Sequence, residues 1–181
     1  RQDCTLRGAT AADEPAIAAL IRISAAGLSQ GFYTDAELQE AITEVFGVDS
    51  QLIDDQTYFV IERRHQLVAC GGWSYRKTLF GGNQYSHRES VLLDPNTDAA
   101  KIRAFFVHQE MARLGLGRWL LEACEQAAKG AGFSHAEMMA TLPGVPFYAA
   151  CGYEEREPYQ HTAKSGIKIP FVRMAKPLTT S

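Results

Sequence analysis

The residues best suited to gripping an anion stand together at 112–118, in the order Ala-Arg-Leu-Gly-Leu-Gly-Arg. Gly115 and Gly117 are two apart. With no Cβ at either position, the backbone can come close to a ligand. The apolar run 102–107 before this loop reads as a buried strand, and the residues after it read as a helix. The first N–H groups of a helix have no partner within it and lie at the positive end of its dipole. Such donors suit phosphate. Arg113 and Arg118 add charge-assisted contacts. The stretch 105–133 is therefore expected to hold a phosphate-bearing cofactor, with the rest of the chain arranged to position it.

Other reactive residue types give weaker patterns. Cys4, Cys70, Cys124 and Cys151 are widely spaced, with no CxxC pair and no zinc pattern. They read as small packing residues of a reduced protein. The five histidines are scattered, so no metal site is expected. A cysteine hydrolase built on Cys70-Gly71-Gly72-Trp73 is disfavoured, because Cys70 sits within an apolar strand where a thiol is usually inert. A dinucleotide-binding unit is the structural rival for the glycine loop. It fails because Leu120 takes the third glycine position and no βαβ unit precedes it.

The elements that must carry the loop follow in order. Residues 4–7 read as a first strand. Thr10 and Asp13 offer caps for a helix with Pro15 near its start and Gly27 at its end. A second helix runs from Thr34, with Glu37 three residues on, to Phe46. Gly31-Phe32-Tyr33, with Ser29 and Gln30, forms an aromatic connection that either packs one helix on the sheet or makes a lip toward substrate. Residues 57–62 and 66–75 form a hairpin across a polar turn. Gly71-Gly72 marks a bulge or a close approach by another group, and Trp73 and Tyr75 share one face. Residues 76–100 form a long loop insertion, expected to act as a flap or as a contact in a homodimer. In the helix after the glycine loop, Leu116, Leu120, Cys124, Ala127 and Ala131 mark one face. A strand at 136–142, a Pro-Gly turn, a short helix at 147–151 and two closing antiparallel strands complete the chain, with a loose tail after Pro177.

Composition sets the outer limits. A chain of 181 residues with 46% hydrophobic and 22% charged residues fits one globular domain over 1–181. A formal net charge of −3 speaks against a nucleic-acid partner, which usually meets a basic face. No apolar run follows Arg1, so no signal peptide is expected there. None is long enough to span a bilayer, so no membrane partner is expected. The expected location is the cytoplasm.

Three segments carry a resemblance. They are Phe106-Val107-His108 leading into the 113–121 stretch RLGLGRWLL, the helix end at 127–133 (AAKGAGF), and the 146–153 stretch PFYAACGY. In this order and spacing, over nearly the whole chain, the sequence resembles the GNAT superfamily of acyl-CoA-dependent N-acetyltransferases. Two places depart from the family pattern. Ala112 stands where a Gln or Arg is usual, and Thr141 stands where an Asn is frequent.

The resemblance implies an α/β fold with a mixed, mostly antiparallel, splayed sheet flanked by helices. It implies acetyl-CoA as cosubstrate, with no metal. The pantetheine arm pairs with backbone near Phe106, Val107 and His108, like an added strand. The pyrophosphate rests on the N–H groups of Arg113, Leu114, Gly115, Leu116, Gly117 and Arg118. Tyr148 matches the position of the general acid that protonates the leaving thiolate. A central-strand N–H near Val107 stabilises the oxyanion. Glu110, His108, Asp94 or a water chain stand as alternatives for the base. The implied activity is direct transfer of an acetyl group, in a ternary complex, to a primary amine on a small molecule or a peptide. The alternative is an acyl-CoA-binding regulatory module without catalysis.

Overall fold

The computed structural model describes residues 3–27, 31–77 and 91–178. Seven strands form one sheet in the order β1-β2-β3-β4-β5-β7-β6. The strands are β1 (Cys4–Gly8), β2 (Tyr58–Arg63), β3 (Gln66–Ser74), β4 (Ala100–Val107), β5 (His135–Ala140), β6 (Glu154–Thr162) and β7 (Lys168–Pro177). Neighbours run antiparallel except β4 and β5, which are parallel. The helices are α1 (Glu14–Ala26), α2 (Asp35–Glu44), α3 (Ser50–Asp54), α4 (Leu116–Gly130) and α5 (Val145–Ala150). The mixed, mostly antiparallel sheet flanked by helices is the fold class expected from the sequence.

Alternation along the strands assigns the two faces. Val60 and Cys70 pack with Ile17, Leu20 and Leu52, on the face covered by α1, α2 and α3. Ile61 and Ala69, one residue out of phase, pack with Leu116 and Leu120 of α4. The buried stripe of α4 is Leu116, Leu120, Leu121, Cys124 and Ala128. The expected stripe drifts by one position at its end: Ala127 is half-buried and Ala131 exposed, so Ala128 takes the inward place. The cap read for α2 is present in full. Thr34 Oγ1 accepts from the Glu37 N–H at 3.1 Å, and Glu37 Oε1 accepts from the Thr34 N–H at 2.8 Å.

The strand β4 breaks the alternation. Ile102 packs with the α4 face, whereas Phe106, four residues on, packs with the α1 face. Equal parity should place both on one side. Between them Ala104 takes φ +59, and the β3–β4 register gains a residue on the β4 side, from Gly72↔Arg103 to Cys70↔Phe106. This is a bulge, and it turns the rest of the strand over. The Ala104 carbonyl accepts from the Tyr58 hydroxyl at 3.2 Å, and the Cys70 thiol lies 3.8 Å from the same oxygen. The two glycines of β3 make room opposite. A Cβ on Gly71 would lie 2.5 Å from the Phe105 ring, and one on Gly72 would lie 2.5 Å from the Thr57 carbonyl.

The strands β4 and β5 pair only at Ala100↔Ala136 and Lys101↔Glu137, then diverge. The closed end is tied by ion pairs of Glu137 with Lys101 and with Arg173 at 2.7 Å. Elsewhere Tyr33 packs as a staple. Its hydroxyl donates to the Pro170 carbonyl at 2.8 Å and accepts from the Leu142 N–H at 3.0 Å. Residues 78–90 of the expected loop lie outside the described residues, and so does its reading as flap or dimer contact. Its stem closes through Lys77 N–H to the Val91 carbonyl at 3.0 Å and Leu93 N–H to the Tyr75 carbonyl at 2.8 Å. Leu178, placed in the expected loose tail, is instead buried and donates its N–H to the Ser134 carbonyl at 2.8 Å.

Removing the Tyr58 hydroxyl leaves the turned-in Ala104 carbonyl without its main donor. Tyr58→Phe is expected to lower unfolding stability by about 1–3 kcal/mol, read from urea denaturation. An unchanged midpoint would show that the hydroxyl does not hold the bulge.

Candidate active site

The diverging strands open a cleft of about 830 Å³ between the C-terminal half of β4, the start of α4 and the segment before α5. Its floor is Phe105 and Val107, one wall is residues 111–113 and 115–118, and the other wall includes Thr141, Phe147 and Tyr148. A second, smaller cavity of about 90 Å³ lies toward the α2 side, lined by Val45, Phe46, Phe106, Met139 and Phe171 among others. The two share Phe105, Thr141 and Tyr148, so they meet at the Tyr148 ring.

The wall at α4 is built of backbone donors. Arg113 has φ +66 and Gly115 has φ +79, so the chain makes two left-handed steps and enters the helix without a side-chain cap. The first intrahelical bond is Trp119 N–H to the Gly115 carbonyl at 3.0 Å. The N–H groups before it have no partner within the helix. A Cβ at Gly115 would meet nothing within 4 Å, which leaves open space beside this backbone. A Cβ at Gly117 would lie 3.1 Å from Phe147 Cζ, so that glycine lets α4 and α5 approach across the cleft.

The β4 edge is asymmetric. His108 N–H donates to the Val68 carbonyl at 2.9 Å, facing β3. In an antiparallel ladder the next residue faces the opposite way. Val107 therefore turns its N–H and carbonyl away from β3, and the carbonyl accepts from the Ser24 hydroxyl at 3.0 Å.

The structure brings Val107, Arg113, Gly115, Leu116, Gly117, Arg118 and Tyr148 to one cleft. Phe106 faces the smaller cavity, with its ring edge-on to Phe46 at 5.7 Å. Leu114 is exposed and lies off the cleft wall. The Arg118 guanidinium donates to the Ala150 carbonyl at 3.3 Å, tying α4 to α5. His108 and Glu110 lie off the cleft walls, His108 capping and Glu110 within a short 3-10 turn at Gln109–Met111, where His108 Nδ1 accepts from the Glu110 N–H at 3.2 Å. Sequence reasoning missed the contribution of Ser24 and Gly27 at the end of α1. Its signal was a serine set among Ile17, Leu20 and Ile21 at helical spacing.

Tyr148 is buried among aromatic rings: Phe147 at 5.1 Å, Tyr153 at 6.0 Å and Phe105 at 6.4 Å. Burial, with Cys124 and Cys151 nearby, pushes its hydroxyl well above the usual phenol range, so it stays protonated at neutral pH. Burial likewise pushes the Cys70 thiol up to about 12 and the Cys124 thiol well up. Neither is poised as a nucleophile. Among the described residues no group of three His, Cys, Asp or Glu side chains converges as a metal site. None of the helices among them is long and apolar enough to cross a membrane.

Comparison with family models matches residues 54–155, more than half of the chain, to the acetyltransferase (GNAT) domain. Comparison with curated protein sequences finds no match. Among solved structures, a GCN5-related N-acetyltransferase of Rhodopseudomonas palustris aligns over 96% of this chain and 95% of its own, with TM-score 0.71 and 17% identity. The PaiA N-acetyltransferase of Thermoplasma acidophilum, in complex with coenzyme A, aligns over 96% and 98%, with TM-score 0.63 and 12% identity. The ribosomal-protein-S18-alanine N-acetyltransferase of Escherichia coli aligns over 98% and 96%, with TM-score 0.57 and 16% identity. At such identities these likenesses establish a shared fold.

The thiol environments have a measurable consequence. In the native protein at pH 8, iodoacetamide is expected to alkylate half-buried Cys4 first and to spare Cys70 and Cys124, as read by peptide mass mapping. Rapid alkylation of Cys70 would show that its strand is open to solvent.

Proposed function

The chain belongs to the GNAT acetyltransferase family, whose members are acyltransferases, and we propose that it transfers an acetyl group from acetyl-CoA directly to a primary amine within a ternary complex. The observation that carries this reading is one cleft running from the uncapped start of α4 to the Tyr148 ring. The residues present suit the cosubstrate. Backbone N–H groups at 115–118, the helix dipole and Arg113 favour a pyrophosphate. The Val107 carbonyl, which keeps a second lone pair beside its bond from Ser24, offers an acceptor to an amide-bearing arm lying along β4 as a neighbouring strand would, and the Val107 N–H is left for the reacting carbonyl. Ala112 removes a side-chain contact from this loop but leaves its backbone donors.

The chemistry then divides among few groups. The Val107 N–H faces the point where oxyanion charge develops and donates to it. Tyr148, held protonated by burial, donates its proton to the departing thiolate. No thiol takes part, because the nearby cysteines are buried and held protonated, so the amine attacks the thioester carbon itself. The apolar surroundings of Tyr148 exclude water and limit hydrolysis.

Tyr148→Phe keeps the ring and its packing and removes the proton donor. It is expected to lower kcat by about 10²-fold or more, in a thiol-release assay across a panel of primary amines. Acetyl-CoA affinity, read by calorimetry, should stay within about threefold. Full turnover in the variant removes Tyr148 from the mechanism.

A further inference from the structure

The cavity on the far side of Tyr148 has a composition that constrains its amine. Its lining is mostly apolar, from Val45 and Phe46 after α2 to Met138, Met139 and Phe171, with Thr141 among the polar members. Among the described lining residues its one charged side chain is Arg103, whose guanidinium lies 3.1 Å from Asp49 Oδ2 and 3.0 Å from Gln51 Oε1. Among the described residues lining this cavity or the large cleft, none is a carboxylate or an imidazole.

Most titratable groups packed behind these walls are engaged, while His108 and the exposed Glu110 stand at the rim on either side of Gln109 and are not among the lining residues. Asp49 beside α3 pairs with Arg103, and Glu44 of α2 bonds His161 at 3.4 Å and the Lys164 N–H at 2.8 Å. Glu137 of β5 pairs with Lys101 and Arg173. Tyr33 bridges Pro170 and Leu142, and Tyr58 and Cys70 face the Ala104 carbonyl. Behind Tyr148, Glu125 takes the Tyr153 hydroxyl at 2.8 Å and the Lys176 ammonium at 3.1 Å, and Cys124 and Cys151 are thiols. In the cleft the charged side chains are Arg113 and Arg118, which take no proton.

From this lining we infer that the acceptor is a weakly basic primary amine on a compact apolar group, the chemistry of an α-amine beside a small aliphatic side chain, and that it enters already neutral. The inference rests on the transferase reading above and deepens it. The proton balance supports it. The neutral nitrogen forms the N–C bond as the C–S bond breaks. Tyr148 gives its proton to the sulfur, and its oxygen then takes the surplus proton from the new amide nitrogen. One hydroxyl closes the cycle. An ammonium acceptor brings one further proton, for which the described residues of these walls offer no base. At pH 7.5 an α-amine of pKa about 8 is about one-quarter neutral, and an alkylamine of pKa about 10.4 only about 0.1% neutral. That difference is about 200-fold in reactive species.

The test compares valinamide, a valine-headed tripeptide and isobutylamine, which carry similar apolar branches on amines of different basicity. The quantity read is kcat/KM for acetyl transfer from pH 6 to 9. The inference predicts curves that level off near pH 8 for both valine compounds. For isobutylamine it predicts a rise of about tenfold per pH unit throughout, with a value at pH 7.5 lower by about 10²-fold. The same plateau pH for all three would reveal a protein base and overturn the inference while leaving the transferase reading intact. Binding of acetyl-CoA with transfer to none of them overturns the transferase reading and the inference with it. With plateaus near pH 8, a higher kcat/KM for the tripeptide than for valinamide assigns a peptide end, and the reverse assigns a free small amine.

Discussion

The site depends on one turned-in carbonyl. At Ala104 the backbone steps through φ +59, and its carbonyl points back to Tyr58 and Cys70 instead of continuing the ladder. A buried carbonyl left unmade costs about 1–3 kcal/mol, so the buried phenol that meets it offsets much of the penalty of the bulge. The bulge reverses parity, sending Phe106 to the α1 face and leaving Phe105 to floor the cleft. It also coincides with the loss of pairing to β5, which ends at Lys101↔Glu137. Without it β4 would present the wrong side chains to both cavities.

The chemistry follows from how charge is distributed around that opening. One end of the cleft is positive, from uncapped helix N–H groups and Arg113. Its middle, at Phe105, Phe147 and Tyr148, is apolar. The first place suits a polyanion, and the second suits a reaction between neutral groups. The ion pairs of Glu137 lie outside this path at the closed end of the sheet, and that of Glu125 lies behind Tyr148. In the apolar middle a phenol keeps its proton, and behind it the buried Cys124 thiol does the same.

Much of this arrangement was legible in the sequence. Period-2 and period-3.6 patterns marked the strands and major helices, and Thr34 with Glu37 marked a cap by its chemistry. The glycine loop was readable because close backbone approach leaves few residue types to choose from. The Ala104 bulge was not readable on its own strand. Alanine carries no turn signal, and the trace lay across the sheet in Gly71-Gly72, which make way for Phe105 and Thr57. The short helix α3 went unread because five residues carry too little periodicity. The strand order β5-β7-β6 was also unread. Its signal was present: β6 runs Glu-Glu-Arg-Glu-Pro, which suits an edge, and the more buried β7 takes the inner place.

The most direct test of the account is amide hydrogen exchange of the protein with and without saturating acetyl-CoA. The account predicts about tenfold or greater slowing at Val107 and at Gly115, Leu116, Gly117 and Arg118, with edge strand β6 unchanged. Binding that leaves these amides unaltered, or that protects a different surface, would contradict the cleft between β4 and β5 as the place where the cosubstrate is held.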